Sequence, residues 1–214
     1  MTIACLHTAA SNIAIFDQAA QALGFNNSPL SHIVMPHLLA EAESTGGMTL
    51  SQQHQLEQLL HSLTPWFDAI LITCSTLGPV ADGFIAQGNG CPVYRTDRML
   101  ADEVHRLAGK ALVLCAAEST LAATRALFCP ATLPVDQHPE VQLISGAWTA
   151  FKAGRHDEYC QLIAQAVADG KRQGADHVAL AQVSMAAAAS LFPQDQQPLT
   201  SPHLALQAVY LPKQ

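Results

Sequence analysis

Short apolar runs alternate with amphipathic stretches along the whole chain. Residues 3–8, 68–74 and 111–116 are apolar almost throughout, as strands covered on both faces of a parallel sheet are. Between such runs, leucines recur at helical spacing over 49–63, and 157–173 also has a helical pattern. Strands that alternate with helices in this way predict an α/β fold with parallel sheets.

The two halves of the chain repeat this pattern at a constant offset of 108 residues. The strand that opens at Ile3 corresponds to the strand that opens at Ala111, and Asp68 corresponds to Asp176. Few residues are identical, so the register of the pattern carries the argument. A fixed period indicates a repeated structural unit.

We therefore expect two similar Rossmann-like lobes. Residues 1–95 with 196–214 form the first lobe in this interpretation, and 96–195 form the second. Ligands of open α/β sheets bind beyond the carboxyl ends of the strands. Two such lobes would enclose a cleft lined by both sets of strand ends.

Composition narrows the classes of function. Half of the residues are hydrophobic, only 13% are charged, and the formal net charge is −7. This balance predicts a folded core and argues against binding to nucleic acid or anionic membranes. The N-terminus has no basic signal region, and no apolar run reaches the ~18 residues of a membrane span. We expect a cytoplasmic protein.

No cofactor or metal is expected from the motifs. The six cysteines form no C-x-x-C pair, and no short Cys/His spacing is typical of a zinc site. Glycine signatures of dinucleotide or nucleotide phosphate binding are also absent.

The segment after the run 68–74 is the sharpest candidate for chemistry. Cys74 ends that run, and Ser75, Thr76 and a predicted helix follow. Backbone N–H groups and a helix dipole at such a position lower the pKa of a thiol. The same N–H groups and the two hydroxyls can hold a carboxylate. The alternative is a buried structural cysteine with a Ser/Thr helix cap.

A second set of polar residues, Thr8, Ser11 and Asn12, follows the first strand and can also hold an anion. The alternative is ordinary helix capping by Ser11. His7 reads more readily as a core histidine than as a catalytic one. Three arginines near predicted strand ends are candidates for a second carboxylate, with a solvated surface role as the alternative: Arg95, Arg98 and Arg125.

Cys74-Ser75-Thr76, on a strand opened by Asp68, resembles the Cys-Asn/Ser-Thr motif of the aspartate/glutamate racemase superfamily. The resemblance implies two α/β lobes with the active site between them and no need for pyridoxal phosphate. It also implies two opposed cysteine thiols acting as bases on a carbon acid. Family members are often dimers, so the resemblance admits a homodimer.

The chain departs from that family in its second half. Gln182 stands six residues after Asp176, just as Cys74 stands six residues after Asp68. Glutamine does not exchange protons near neutral pH, so racemisation with one thiol on each face is not available. The corresponding segment Gln182, Val183 and Ser184 is assigned to substrate binding by this correspondence.

Three interpretations remain open. In the first, the protein is an enzyme that uses Cys74 as an acid/base or nucleophile on a small carboxylate or amino acid, with isomerisation, decarboxylation or one-sided proton transfer as the outcome. In the second, another residue supplies the second proton and the protein is a racemase. In the third, it is a noncatalytic protein that binds a small carboxylate.

Overall fold

The computed structural model describes residues 1–25, 30–85 and 90–210. Within these ranges the strands form two parallel sheets of four strands each. The first sheet contains β1 (Ile3–His7), β2 (Leu30–Val34), β3 (Ala69–Ile72) and β4 (Val93–Arg95) in the order β2-β1-β3-β4. The second contains β5 (Ala111–Cys115), β6 (Glu140–Leu143), β7 (His177–Leu180) and β8 (Leu199–Thr200) in the order β6-β5-β7-β8.

Helices connect the strands, as parallel pairing requires. In chain order they are α1 (Asn12–Ala22), α2 (Pro36–Ser44), α3 (Leu50–Leu63), α4 (Pro79–Gly83), α5 (Thr96–Arg106), α6 (Leu121–Phe128), α7 (Ala147–Lys152), α8 (His156–Arg172) and α9 (Ser201–Tyr210). Long amphipathic helices cover the sheets: α3 buries Leu56 and Leu60, and α8 buries Ile163 and Val167. None of the helices in the described ranges is long and apolar enough to cross a membrane.

The chain divides into two compact units, residues 1–98 with 202–214 and residues 99–201. Each unit contains one sheet and its own hydrophobic core. The predicted α/β class with two similar lobes and parallel sheets is confirmed.

The offset of 108 residues holds at the level of single strands and hydrogen bonds. β1 and β5 correspond residue for residue, as do β3 and β7. The Asp68 carboxylate accepts the Thr2 N–H at 2.6 Å, and the Asp176 carboxylate accepts the Lys110 N–H at 2.8 Å. Each aspartate thus ties the start of one central strand to the start of its neighbour.

A buried ion-pair cluster lies at the end of β4. The Arg95 guanidinium donates to Asp97 Oδ1 at 2.7 Å and to Asp82 Oδ2 at 2.6 Å. Arg95 and Asp97 are each about 5% exposed. A Cβ at Gly78 would come within 2.8 Å of Arg95 Nε, so glycine leaves room for the guanidinium beside the turn that follows β3.

We expect Asp97→Ala to lower the free energy of unfolding by about 3 kcal/mol, because the buried guanidinium of Arg95 loses two hydrogen bonds and keeps only Asp82 as an acidic partner. The matched control is Arg106→Ala in the same helix, since Arg106 pairs with Glu103 while its own side chain is 63% exposed. Loss of such an exposed pair costs less than about 1 kcal/mol. Urea unfolding of both variants measures the difference. Equal losses would contradict the structural role of Asp97.

Candidate active site

Cys74 lies in a tight turn directly beyond β3. The sequence predicted Cys74 at the end of the strand itself. The strand ends at Ile72, so Cys74 lies two residues beyond it. The Cys74 carbonyl accepts the N–H groups of Leu77 at 3.1 Å and Gly78 at 2.9 Å, and α4 begins immediately afterwards. Its side chain packs into the core of the first unit, and the residue is only 8% exposed.

The expected lowering of the thiol pKa is wrong. Burial raises the pKa of the Cys74 thiol, because a thiolate loses more from desolvation than a thiol does. Hydrogen bonds from the Thr8 hydroxyl and from the backbone of Leu77 and Thr76 act in the opposite direction but do not outweigh burial. Cys74 therefore rests as a neutral thiol surrounded by groups that can stabilise its anion.

The turn after β1 lies beside this one because β1 and β3 are paired neighbours. Thr8 and Asn12 are buried, whereas Ser11 is exposed. The Ser11 side chain makes no capping hydrogen bond to α1, so the alternative of ordinary capping is wrong. Ser11 itself has helical backbone angles, which differ from the extended angles of most N-cap residues.

Two buried polar atoms of these turns lack hydrogen-bond partners within the described ranges, Asn12 Oδ1 and Thr76 Oγ1. Asn12 is 4% exposed and Thr76 is 7% exposed. Among the groups that lower the pKa of the Cys74 thiol, the Thr76 hydroxyl contributes least. Ser75 is also buried, at 7% exposure. Buried polar atoms without partners are rare in folded proteins and mark positions where a ligand or water completes the site.

His7 is a core histidine, as the sequence favoured. It is fully buried, and its Nδ1 lies 2.8 Å from Thr73 Oγ1 while its Nε2 lies 2.9 Å from His32 Nδ1. His32 Nε2 in turn lies 3.1 Å from a carboxylate oxygen of Asp17. Burial and the neighbouring His32 lower the pKa of His7 to about 4.

Sequence spacing missed one cluster beside this chain of hydrogen bonds. Cys5, His7 and His32 each present one potential metal-ligand atom, and these atoms all lie within 4.8 Å of one another. Burial, with a smaller contribution from Asp17, raises the pKa of Cys5 to about 12. The available signal was the alternation of Cys5 and His7 on β1 with a histidine on the next strand. No short spacing in the sequence predicts this cluster, because its residues lie on two different strands.

The second unit presents a different arrangement at the corresponding position. Gln182 Oε1 accepts the backbone N–H groups of Ala116 at 2.6 Å and Ala117 at 3.0 Å. These are the first N–H groups beyond β5. A pair of N–H groups of this kind can bind an anion. In this structure the Gln182 side chain already binds these two N–H groups.

Val183 and Ser184 follow Gln182 at the start of a 3₁₀ helix. Val183 is buried. The Ser184 hydroxyl lies 3.0 Å from the Tyr159 hydroxyl, whose pKa is raised by burial. Tyr159 therefore stays protonated near neutral pH and does not supply a base for Ser184.

Of the arginines considered for a second carboxylate, two already have acidic partners. Arg95 binds Asp82 and Asp97, and Arg98 binds Asp82 at 3.0 Å. Arg125 lies exposed on α6. The alternative of a solvated surface arginine is therefore wrong for Arg95, which is buried, and holds for the partly exposed Arg98 and the exposed Arg125.

Solved structures share this fold. An aspartate racemase from Picrophilus torridus matches with a TM-score of 0.68 at 12% sequence identity, over 98% of this chain and 93% of that chain. The glutamate racemase isoform RacE1 from Bacillus anthracis matches with a TM-score of 0.66 at 12% identity, over 98% and 81% of the two chains. The chain has the two-lobe fold of the aspartate/glutamate racemases.

An allantoin racemase from Pseudomonas fluorescens has the same racemase fold, with a TM-score of 0.62 at 14% identity over 99% of this chain and 92% of that chain. No protein-family model and no curated protein matches the sequence. The resemblance deduced from Cys74-Ser75-Thr76 is thus confirmed at the level of the racemase fold. The roles of the individual residues remain predictions.

We expect Gln182→Ala to lower the free energy of unfolding by about 1–3 kcal/mol, because the N–H groups of Ala116 and Ala117 lose their acceptor. Gln182→Glu is the matched control, since a carboxylate retains an acceptor oxygen at nearly the same position. Chemical unfolding near neutral pH compares the two variants. A stable alanine variant would show that these N–H groups do not need the glutamine.

The raised pKa of Cys74 predicts an unusual pH profile for alkylation. Only the thiolate reacts, so the rate at Cys74 should continue to rise above the pH at which N-acetylcysteine reaches its plateau. Mass spectrometry of the Cys74 peptide after timed exposure to iodoacetamide gives the profile. Steric shielding lowers the rate at every pH but leaves the midpoint in place. A midpoint below that of N-acetylcysteine would contradict the dominance of burial.

Proposed function

We propose that the protein is a cofactor-independent cytoplasmic enzyme that acts on a small carboxylate or amino acid through a single thiol, that of Cys74. The observation that carries this proposal is the set of hydrogen-bond donors around that thiol. The Thr8 hydroxyl and the backbone of Thr76 and Leu77 hydrogen-bond to its sulfur, so a thiolate formed during a reaction meets donors already in place.

The ligand class is inferred from the polar atoms around the cysteine. Thr76 Oγ1 is a hydroxyl that can donate to a carboxylate, and Asn12 Oδ1 can accept from an ammonium or amide N–H. Both are buried; Asn12 Oδ1 lacks a hydrogen-bond partner within the described residues, and the Thr76 hydroxyl makes only a weak interaction with the Cys74 thiol. A small molecule with a carboxylate beside an N–H group would satisfy both. The racemases of aspartate and glutamate that share the fold are named for compounds of this kind.

The resting thiol favours proton donation. A thiol whose pKa is raised is a proton donor at neutral pH. In a decarboxylation, the bond between carbon and carboxylate breaks and carbon dioxide leaves with no electrons from that bond. The electron pair left on carbon then takes the proton of Cys74, and water returns a proton to the thiolate.

Gln182 favours chemistry on one face of the carbon. Its amide does not titrate near neutral pH, and its Oε1 is held by two backbone N–H groups. The second unit therefore has a glutamine, not a thiol, at the position that corresponds to Cys74. Cys74 alone can support isomerisation, decarboxylation or proton exchange on one face of the carbon. Racemisation requires a proton donor from elsewhere in the chain.

A noncatalytic protein that binds a small carboxylate is the second candidate. The observation that favours it is the burial of Cys74 together with its raised pKa, since such a thiol is a weak nucleophile and a poor base before a ligand arrives. The same polar atoms would then bind the ligand without chemistry.

The test uses a panel of amino acids, dicarboxylates and substituted malonates in deuterium oxide, with NMR and chiral chromatography as readouts. We expect turnover with deuterium entering one face of the carbon. Cys74→Ala should lower kcat by at least about 100-fold, the contribution of a positioned acid or base, while thermal-shift binding of the ligand is retained. Cys115→Ala is the control, because Cys115 is an equally buried thiol at the end of β5.

Each other outcome has a defined meaning. Loss of optical activity with deuterium entering both faces would identify a racemase. Ligand stabilisation without turnover, unchanged in Cys74→Ala, would identify the binding protein. Absence of both binding and turnover across the panel would overturn the proposed ligand class.

A further inference from the structure

Cys5, His7 and His32 lie together on one face of the first sheet. Cys5 and His7 are two residues apart on β1, so their side chains point to the same face. His32 pairs directly with Cys5 across β1 and β2. Helix α1 covers this face, with the ring of Phe16 5.4 Å from the ring of His7.

The hydrogen bonds around the two histidines determine where their protons lie. The Thr73 hydroxyl donates to the Leu6 carbonyl at 3.0 Å, so its oxygen is free to accept from His7 Nδ1–H. The Asp17 carboxylate accepts from His32 Nε2–H. Each neutral imidazole then presents a lone pair toward the other, at His7 Nε2 and His32 Nδ1, only 2.9 Å apart. With these tautomers both lone pairs are available to a metal ion, whereas with the other tautomer of His7 its Nε2–H donates to His32 Nδ1.

We propose that Cys5, His7 and His32 form a binding site for a divalent metal ion of the Zn²⁺ class. All three potential ligand atoms lie within 4.8 Å of one another. Nitrogen and sulfur ligands of tetrahedral zinc, at about 2.0–2.3 Å from the metal, are separated by similar distances from one another. The two imidazole nitrogens need to separate by only a few tenths of an ångström.

The surroundings of the two imidazoles match those of metal-bound histidines. Such histidines nearly always donate their other ring N–H to an oxygen acceptor, which fixes the tautomer. Thr73 supplies that acceptor for His7 and Asp17 supplies it for His32. Thiolate and imidazole together select zinc and related transition metals over Mg²⁺ or Ca²⁺.

The charges balance at this site. A divalent ion with the Cys5 thiolate and the nearby Asp17 carboxylate has no net charge, which reduces the cost of burying the ion. Binding releases the thiol proton of Cys5 to solvent, while the two imidazoles bind as neutral ligands. Three protein ligands leave one tetrahedral position for water or another small ligand.

The site has a route to solvent and is not a requirement of the fold. β2 is the edge strand of its sheet, and the side chains of His32 and Asp17 are 13% and 59% exposed. In the second sheet, Val113 and Cys115 correspond to Cys5 and His7, and Val113 pairs with Val141 where Cys5 pairs with His32. The same architecture therefore forms without the cluster.

The test adds Zn²⁺ or Co²⁺ to the full-length chain after removal of metal by a chelator. We expect one ion per chain by elemental analysis, a rise in Tm with Zn²⁺, and tetrahedral Co²⁺ bands in the visible spectrum with a thiolate-to-metal charge-transfer band. Cys5→Ser should remove the charge-transfer band. His32→Gln should abolish tight binding, and Asp17→Asn should weaken it roughly 10- to 100-fold, as loss of an outer hydrogen bond does.

Cys115→Ala is the matched control, since it removes a thiol of equal burial that lies outside the cluster, and it should bind Co²⁺ as the unmodified protein does. Asp17 is largely exposed, so its variant remains interpretable even if a buried ligand variant fails to fold. A charge-transfer band that survives Cys5→Ser, or Co²⁺ affinity unchanged by both His32→Gln and Asp17→Asn, would overturn the proposal. Failure of the unmodified protein to bind either ion would also overturn it. None of these readouts depends on catalytic turnover.

Discussion

Backbone N–H groups at the carboxyl ends of parallel strands must find acceptors, and that requirement shapes both lobes. Such groups leave the sheet without strand partners, and burying them unpaired is costly. In the second lobe the side chain of Gln182 accepts the N–H groups of Ala116 and Ala117. Cys74 occupies the corresponding position in the first lobe. Its sulfur receives hydrogen bonds from the Thr8 hydroxyl and from the backbone of Thr76 and Leu77 in its own turn. The repeated scaffold therefore has a glutamine amide at one of the two corresponding positions and a cysteine thiol at the other.

The difference between the lobes is confined to a few positions. Asp68 and Asp176 make the same bond to the backbone before the first strand of their lobes, and β3 and β7 have matching bounds. A repeated backbone thus sets the position of residue 74 and of residue 182, and the side chain at each position sets the chemistry. This separation of scaffold from site is the reason why a shared fold does not by itself transfer an activity.

The sequence predicted most of the elements, because buried parallel strands have an unmistakable apolar pattern. β1 covers residues 3–7 of the predicted run 3–8. The predicted helix over 49–63 is α3, which begins one residue after Thr49, and the Thr49 side chain forms a capping box with Gln52. Helices α2 and α7 were not predicted.

Properties of the site that depend on tertiary packing were harder to predict. The pKa of Cys74 was predicted in the wrong direction, because the local N–H groups are visible in the sequence whereas the extent of burial is not. The capping role of Ser11 failed for a similar reason, since capping depends on backbone angles that residue type only biases. The Cys5, His7 and His32 cluster depends on the pairing register between β1 and β2, which no linear spacing of ligands reveals.

The turn that contains Cys74 is held firmly on both sides. Before the cysteine, Thr73 donates both its backbone N–H and its hydroxyl to the Leu6 carbonyl. After it, Gly78 packs against the guanidinium of Arg95, which is itself fixed by Asp97. Because these contacts are made by the scaffold, the thiol and its donors are in position before a ligand arrives, and little free energy is spent on ordering them during a reaction. The Arg95–Asp97 ion pair and the Thr73 hydroxyl, both buried, therefore hold the turn that positions Cys74.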